Sequence, residues 1–185
     1  IAPKTTVAVT ANITATASKF GYVGGINRTV ISIMPRELDV IIYCKEEVLS
    51  EESTPVSVFV HWRGEPVQDA NVSVNVDYGG FDQAFAMTGS SGMATFNFTA
   101  PKTTVDTTAN IVVTATKDGY VSGANWTVIR IMPKVLVVYV TADRNVTVSE
   151  EEINVSVHVK YDGVPINNAS VTLSFNLSTL PPLTK

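Results

Sequence analysis

Residues 100–133, APKTTVDTTANIVVTATKDGYVSGANWTVIRIMP, already occur once at residues 2–35 as APKTTVAVTANITATASKFGYVGGINRTVISIMP; 24 of the 34 positions are identical at a constant offset of 98. A repeat at fixed spacing has to be read before any local pattern, because it makes the module the unit of folding. Within the stretch, Ile111, Val113 and Ala115 alternate with Asn110, Val112, Thr114 and Thr116. Period-two alternation of this kind predicts a strand with one buried face. Gly119-Tyr120 ends that strand, and the next places Ile129 and Ile131 inward. A corner tyrosine of this type is expected to lay its ring on the core edge and bond its hydroxyl to backbone. Pro133, like Pro35, closes the module, since a proline cannot extend a central ladder.

Working outward, residues 36–133 read as one complete module, residues 1–35 as the second half of another, and residues 134–185 as the first half of a third. Leu38 opens the first strand, which runs to Cys44. Residues 45–55, with Glu46, Glu47, Glu51 and Glu52, read as an acidic, polar connection. Val56, Val58, Val60 and Trp62 then alternate with Ser57, Phe59 and His61. Arg63-Gly64-Glu65-Pro66 has turn chemistry. Val72, Val74 and Val76 form the next alternating run, Gly79-Gly80 a turn, Phe85 the centre of a short strand, and Ala94, Phe96 and Phe98 another. With the two duplicated strands this makes seven, separated by turns at the spacing of an all-β sandwich. In residues 134–185, Val155, Val157, Val159 and Tyr161 match Val56, Val58, Val60 and Trp62 at an offset of 99, and Gly163, Pro165, Ala169 and Val171 match Gly64, Pro66, Ala70 and Val72. Pro181 and Pro182 argue against a central strand at the end.

The composition agrees. Val and Thr dominate over Leu, which favours strand, and 45% of residues are hydrophobic, enough for a core. Charged residues are only 16%, so hydroxyl and amide groups carry the solvated faces. A net charge of −4 with no basic cluster excludes the stripe that phosphate binding requires, so nucleic acid is not an expected partner. The longest apolar run, residues 135–140, is too short to span a bilayer. The chain opens at Ile1 without a signal-like segment, from which nothing follows. Cys44 is the only cysteine and aligns with Ala142; a half-buried small side chain is expected there, against the alternatives of an intermolecular bridge or a reactive thiol.

Three motifs carry the resemblance to a known family: Val-x-Val-x-Val-x-x-x-Gly-x-Pro-Val-x-x-Ala-x-Val over residues 56–72, the Thr-Gly-Ser-Ser-Gly-Met-Ala-Thr-Phe-x-Phe-Thr run over residues 88–99, and Thr-Ala-Thr-Lys-x-Gly-Tyr over residues 114–120. On these the chain resembles the immunoglobulin-like (Ig-like) repeats of prokaryotic surface proteins, the invasin/intimin-type bacterial family and its archaeal relatives. The resemblance implies tandem Ig-like β-sandwich modules of about 98 residues in an extracellular rod, and it brings no catalytic residues. Such modules serve as stalks, spacers, adhesive tips and enzyme appendages.

The densest chemical signal is Asn-x-Ser/Thr, the N-glycosylation acceptor, at Asn12, Asn27, Asn71, Asn97, Asn125, Asn145, Asn154, Asn168 and Asn176. Chance gives roughly two to three such sites for this composition. Residues i and i+2 of a strand face the same way, so the motif sets Asn and its hydroxyl on one face. The middle residue is apolar everywhere except at Arg28. Asn71, Asn97 and Asn154 are therefore expected to point to solvent. Asn125 fits less well, because Thr127 shares parity with inward Ile129. The competing explanation is that an Asn/Thr-rich alternating strand generates the motif by itself. Heavy glycosylation implies a secreted or cell-surface protein whose partners include covalent N-glycans.

Other constellations are weaker. The acidic connections Glu46/Glu47/Glu51/Glu52 and Asp143/Glu150/Glu151/Glu152 could attract calcium, but they lack spaced ligands and read as solvated loops, so no metal or cofactor is expected. His61 and His158 occupy non-equivalent outward positions and read as surface residues. Phe59 and Trp126 alternate with inward residues and could form a contact patch between modules or with a partner; edge packing within the rod accounts for them equally well. No nucleophile–base set, carboxylate pair or Gly-rich phosphate loop is present, so catalysis is not expected. The expected role is a structural component of a surface stalk, sheath or filament, associating with itself or with neighbouring surface proteins. Only the counterparts of residues 87–98 are missing from two full periods, so the two partial modules either belong to a longer array or complete each other head-to-tail between molecules. The alternative role is an adhesin segment, or a spacer or carbohydrate-binding appendage of a larger secreted protein.

Overall fold

The computed structural model describes residues 1–145, 147–148 and 151–176. Val146, Ser149, Glu150, Pro181 and Pro182, on which some of the expectations above fall, lie outside the described residues, as do Leu177 and Ser178 of the last acceptor motif. The chain divides into two compact units, residues 1–133 and 134–185.

In the first unit, β1 (Val9–Ala17) and β2 (Gly25–Ile33) form an antiparallel hairpin that pairs with no other strand among the described residues. The remaining strands are β3 (Arg36–Glu37), β4 (Asp39–Tyr43), β5 (Glu47–Leu49), β6 (Ser53–Trp62), β7 (Glu65–Pro66), β8 (Asn71–Val76) and β9 (Gly80–Phe81). They continue with β10 (Phe85–Met87), β11 (Met93–Thr99), β12 (Thr107–Thr116), β13 (Tyr120–Val121) and β14 (Gly123–Met132). Most of these build two sheets, ordered β4-β6-β11-β9, with β7 on β6, and β10-β8-β12-β14-β5, while β3 and β13 make a separate short parallel pair. That is the Ig-like arrangement, with β4, β6 and β11 in one layer and β8, β12 and β14 in the other. The fold is an all-β sandwich.

The alternation read from the sequence is the core. Val56, Val58 and Val60 of β6, Phe96 and Phe98 of β11, Val72 of β8, Ile111 and Val113 of β12 and Ile129 and Ile131 of β14 are all essentially inaccessible to solvent. Each such side chain stabilises the fold by roughly 1.5–3 kcal/mol relative to exposure. Phe81 meets Phe98 edge-on at 5.6 Å between ring centroids, closing the open side of the sandwich. Outer faces are tied by cross-strand hydroxyl pairs, Ser53 with Thr99 at 2.9 Å and Ser73 with Thr114 at 2.6 Å. Thr88 is buried and satisfied: its hydroxyl donates to the Val67 carbonyl and accepts from the Ala70 amide.

The seven expected strands are β4, β6, β8, β10, β11, β12 and β14; the other pieces are short. Two expectations need correction. Residues 45–55 are not a plain polar connection, because β5 crosses to the opposite sheet and pairs in parallel with β14. Val48 of β5 is buried in the core and Leu49 beside it is half-buried, while Arg130 holds Glu47 and Asp106 at 2.9 and 2.6 Å. Three residues with two adjacent apolar ones are too short a run to show a period, so alternation does not reveal this strand. The second correction concerns Tyr120. Its ring packs on the core as expected, but its hydroxyl accepts from the Arg36 guanidinium at 3.2 Å rather than bonding to backbone.

Pro55 sits inside β6 without penalty. Asn97, opposite it, accepts from the Asp82 amide and donates its own amide to the Asp82 carboxylate, so the Pro55 nitrogen points away from β11. On that side β4 pairs only with residues 57–61. The missing N–H therefore removes no ladder bond. Arg63 and Gly64, with φ of 53° and 84°, make the left-handed pair that a tight hairpin turn requires.

The second unit comprises β15 (Val137–Ala142), β16 (Val155–Tyr161) and β17 (Val164–Pro165), joined antiparallel. Val137 faces Lys160 just as Asp39 faces His61, so the register of β4 on β6 is reproduced. Asp162 and Gly163 repeat the left-handed turn of Arg63 and Gly64.

Candidate functional site: acceptor asparagines and open sheet faces

All nine acceptor asparagines are exposed residues. Asn71 and Asn97 behave as the alternation predicts, with Val72 and Phe98 beside them fully buried and the asparagines turned outward on opposite sheets. Asn12 lies on the outer face of β1 and Asn154 immediately before β16. The Asn154 amide donates to Asp143 at 3.1 Å. Asn168 occupies a turn with φ of 59°, a left-handed conformation that asparagine tolerates better than most residues. Asn145 and Asn176 are exposed outside strands, although parts of both motifs fall outside the described residues.

Asn125 is the exception that the parity argument raised. Its side-chain nitrogen donates to the Val40 carbonyl at 2.8 Å and its side-chain oxygen accepts from the Trp126 amide. Its hydroxyl partner Thr127 is half-buried beside Cys44. The nitrogen that would carry a sugar is therefore committed to the fold. Asn27 stands at the equivalent place in β2 and shares parity with Ile31, a signal present in the sequence itself.

The remaining candidates separate in space. Phe59 and Trp126 cannot form one patch, because β6 and β14 belong to different sheets whose outer faces point apart; that expectation is corrected. Trp126 is exposed on one face. On the other, Phe59 stacks on His61 at 5.1 Å and lies in register between Ile41 and Met93. His61 is half-buried, 3.7 Å from Asp39, and accepts from the Gly64 amide, whereas His158 is exposed. Cys44 is half-buried, with its sulfur 3.9 Å from the Thr127 hydroxyl.

A joint between the first hairpin and the complete module was not anticipated. At its edge, within the complete module, Arg36 lies over both Trp62 and Tyr120, at 4.9 and 5.6 Å from the ring centroids, a cation–π clamp. Lys4 pairs with Asp118 at 2.9 Å, and the Asp118 carboxyl is held below its ordinary pKa chiefly by that hydrogen bond and charge. An open groove of about 570 Å³ runs beside the joint, lined by Thr6, Asp69, Asn71, Lys117, Asp118 and Tyr120 among others.

The two hairpins share their register position by position: Val9 faces Ile33 as Thr107 faces Ile131, at the offset of 98. Their surroundings differ completely. Ile13 and Ile31 are 45% and 48% exposed, while Ile111 and Ile129 are fully buried. The hairpin therefore presents, uncovered, the face that forms the core in its copy.

No protein-family model matches the sequence, and no curated protein matches it. Among solved structures, the D00-D0 domain of Intimin is similar, at 15% identity and a TM-score of 0.38. The match covers 65% of this chain and 64% of that one, so the chain spans a little under two thirds of that structure's length.

Proposed function

We propose that the chain is a structural component of an extracellular cell-surface stalk, sheath or filament, built from tandem N-glycosylated Ig-like modules. The observation that carries the reading is the outward placement of acceptor asparagines on both faces of a sandwich whose flanking apolar residues are buried. Sugars on Asn12, Asn71, Asn97 and the turn sites would coat a poorly charged surface, keeping it soluble and shielded from proteases. Stacked sandwiches would supply length, and the Lys4–Asp118 pair would help to fix one module against the next. The role is mechanical rather than enzymatic, its partners being N-glycans, other copies and neighbouring surface proteins. The test is the intact mass of natively sourced protein before and after enzymatic and chemical deglycosylation. Loss of several glycan masses supports the reading; an unchanged mass overturns it.

A second reading has one observation in its favour. The Ile41–Phe59–Met93 row, with Phe59 stacked on His61, lies on the outer face of the β4-β6-β11 sheet. An adhesin segment or carbohydrate-binding appendage would use such a platform, because sugar rings stack on aromatic faces. Binding to an oligosaccharide panel that disappears in Phe59→Ala would favour it.

A further inference from the structure

We infer that a glycan on Asn71 lies against Phe85 and Met87 and covers the apolar edge of the sandwich. The inference rests on the glycosylated surface-rod reading and gives one of its sugars a structural task. Every strand involved belongs to the complete module, residues 36–133.

The placement follows from the ladder. β10 is the outermost strand of its sheet, and its register sets Met87 opposite Asn71 and Phe85 opposite Ser73. Ala86, between them, turns towards the core. Phe85 and Met87 therefore share the outer face with Asn71, and they are 67% and 57% exposed. The ladder bonds fall on the alternate pairs: the Thr88 amide donates to the Ala70 carbonyl and the Val74 amide to the Ala84 carbonyl. Asn71–Met87 and Ser73–Phe85 are then the close, non-hydrogen-bonded pairs of the antiparallel ribbon, with Cα atoms about 4.5 Å apart. Odd-numbered residues of this stretch bond to β12 instead, as the Asp77 amide does to the Asn110 carbonyl. Thr116, opposite Asn71 on β12, is therefore the more distant neighbour. A sugar on the Asn71 nitrogen emerges nearest Met87, with Phe85 one diagonal step along β10.

The chemistry selects the same side. A sugar ring has a face of C–H groups and carries its hydroxyls around the rim. Laid on Phe85 and Met87, that face takes apolar surface out of water; Thr116 on the other side is polar. The cover also answers a structural need, because an edge strand with outward apolar side chains is a template for pairing with another chain. Asn97, on the opposite sheet, stands between Pro55 and Asp82 and serves as the comparison.

Methionine oxidation by dilute hydrogen peroxide, resolved by peptide mass spectrometry on folded, natively sourced protein, reads the contact. Met87 is expected to oxidise several-fold more slowly in the glycosylated chain than after enzymatic deglycosylation, a comparison that needs no substitution. Asn71→Gln made in the same cells is expected to oxidise at Met87 at the deglycosylated rate, and Asn97→Gln to keep the protection. Exposed Met34 and half-buried Met93 are expected to react equally in wild type and Asn71→Gln, which shows that the variant folds. Equal Met87 rates with and without a sugar on Asn71 overturn the inference and leave the glycan reading standing. A bare Asn71 in a chain that carries sugar elsewhere does the same. A chain without sugar at any site overturns both.

Discussion

Gly123 and Leu38 are fitted to each other without clearance: the Leu38 carbonyl occupies the space that a Cβ at residue 123 would need, with the Val40 side chain 3.0 Å from the same point. This contact seats β4 across the end of β14 and fixes how the first strand enters the sandwich. Gly123→Ala is therefore expected to destabilise the complete module by at least ~1–3 kcal/mol, the usual cost of forced overpacking. Gly25→Ala in dilute chain is expected to change little. Thermal unfolding of the two variants checks the contrast, and equal effects would contradict it.

Thr54 offers a gain instead of a loss. Its hydroxyl is buried and, among the described residues, has no hydrogen-bond partner. An unsatisfied buried polar group costs ~1–3 kcal/mol, and an apolar group of the same shape removes that cost. Thr54→Val is expected to raise the melting temperature, whereas Phe98→Ala at the adjacent core position is expected to cost ~3–5 kcal/mol. Calorimetry of both variants reads the signs directly.

Site-resolved glycopeptide mapping separates the nine acceptors. Asn71 and Asn97 are expected to be occupied and Asn125 bare, because its nitrogen is already bonded to Val40. Asn125→Ala is expected to cost about 1 kcal/mol through loss of that bond, while Asn97→Ala leaves the fold unchanged. High occupancy at Asn125 would contradict the geometry.

Acid should loosen the chain at two carboxylates. Asp77 is held below its ordinary pKa of 3.8, first by the Asn110 side-chain hydrogen bond and then by the Asn110 backbone; Asp118 is held below the same value by Lys4. A depressed pKa in the folded state adds stability that is complete above the unfolded value and is lost as pH falls through the folded one. Melting temperature is therefore expected to decline below about pH 4, with Asp77→Asn flattening part of that decline. Identical acid limbs for wild type and variant would contradict the assignment.

Much of this was readable before any coordinates. The alternation at Val56, Val58 and Val60 and at Ile111 and Val113 gave the inward faces because a strand's period is two, and burial follows it without exception there. Constraints local to a few residues or distant in sequence were not readable. β5 is three residues long and rests on a parallel partner more than eighty residues away. The Arg36 clamp depends on Trp62 and Tyr120 meeting at one end of the sandwich, which no spacing announces. Asn125 lay between the two cases: its parity was legible, but its bond to Val40 needed the opposite strand in place.

Electron microscopy of natively purified material distinguishes a filament of repeated modules from isolated ones. Regular fibres are expected, with a constant axial repeat set by the module and a sugar layer along their sides. A population of separate globular particles or single flexible rods, with no repeat, would contradict that expectation.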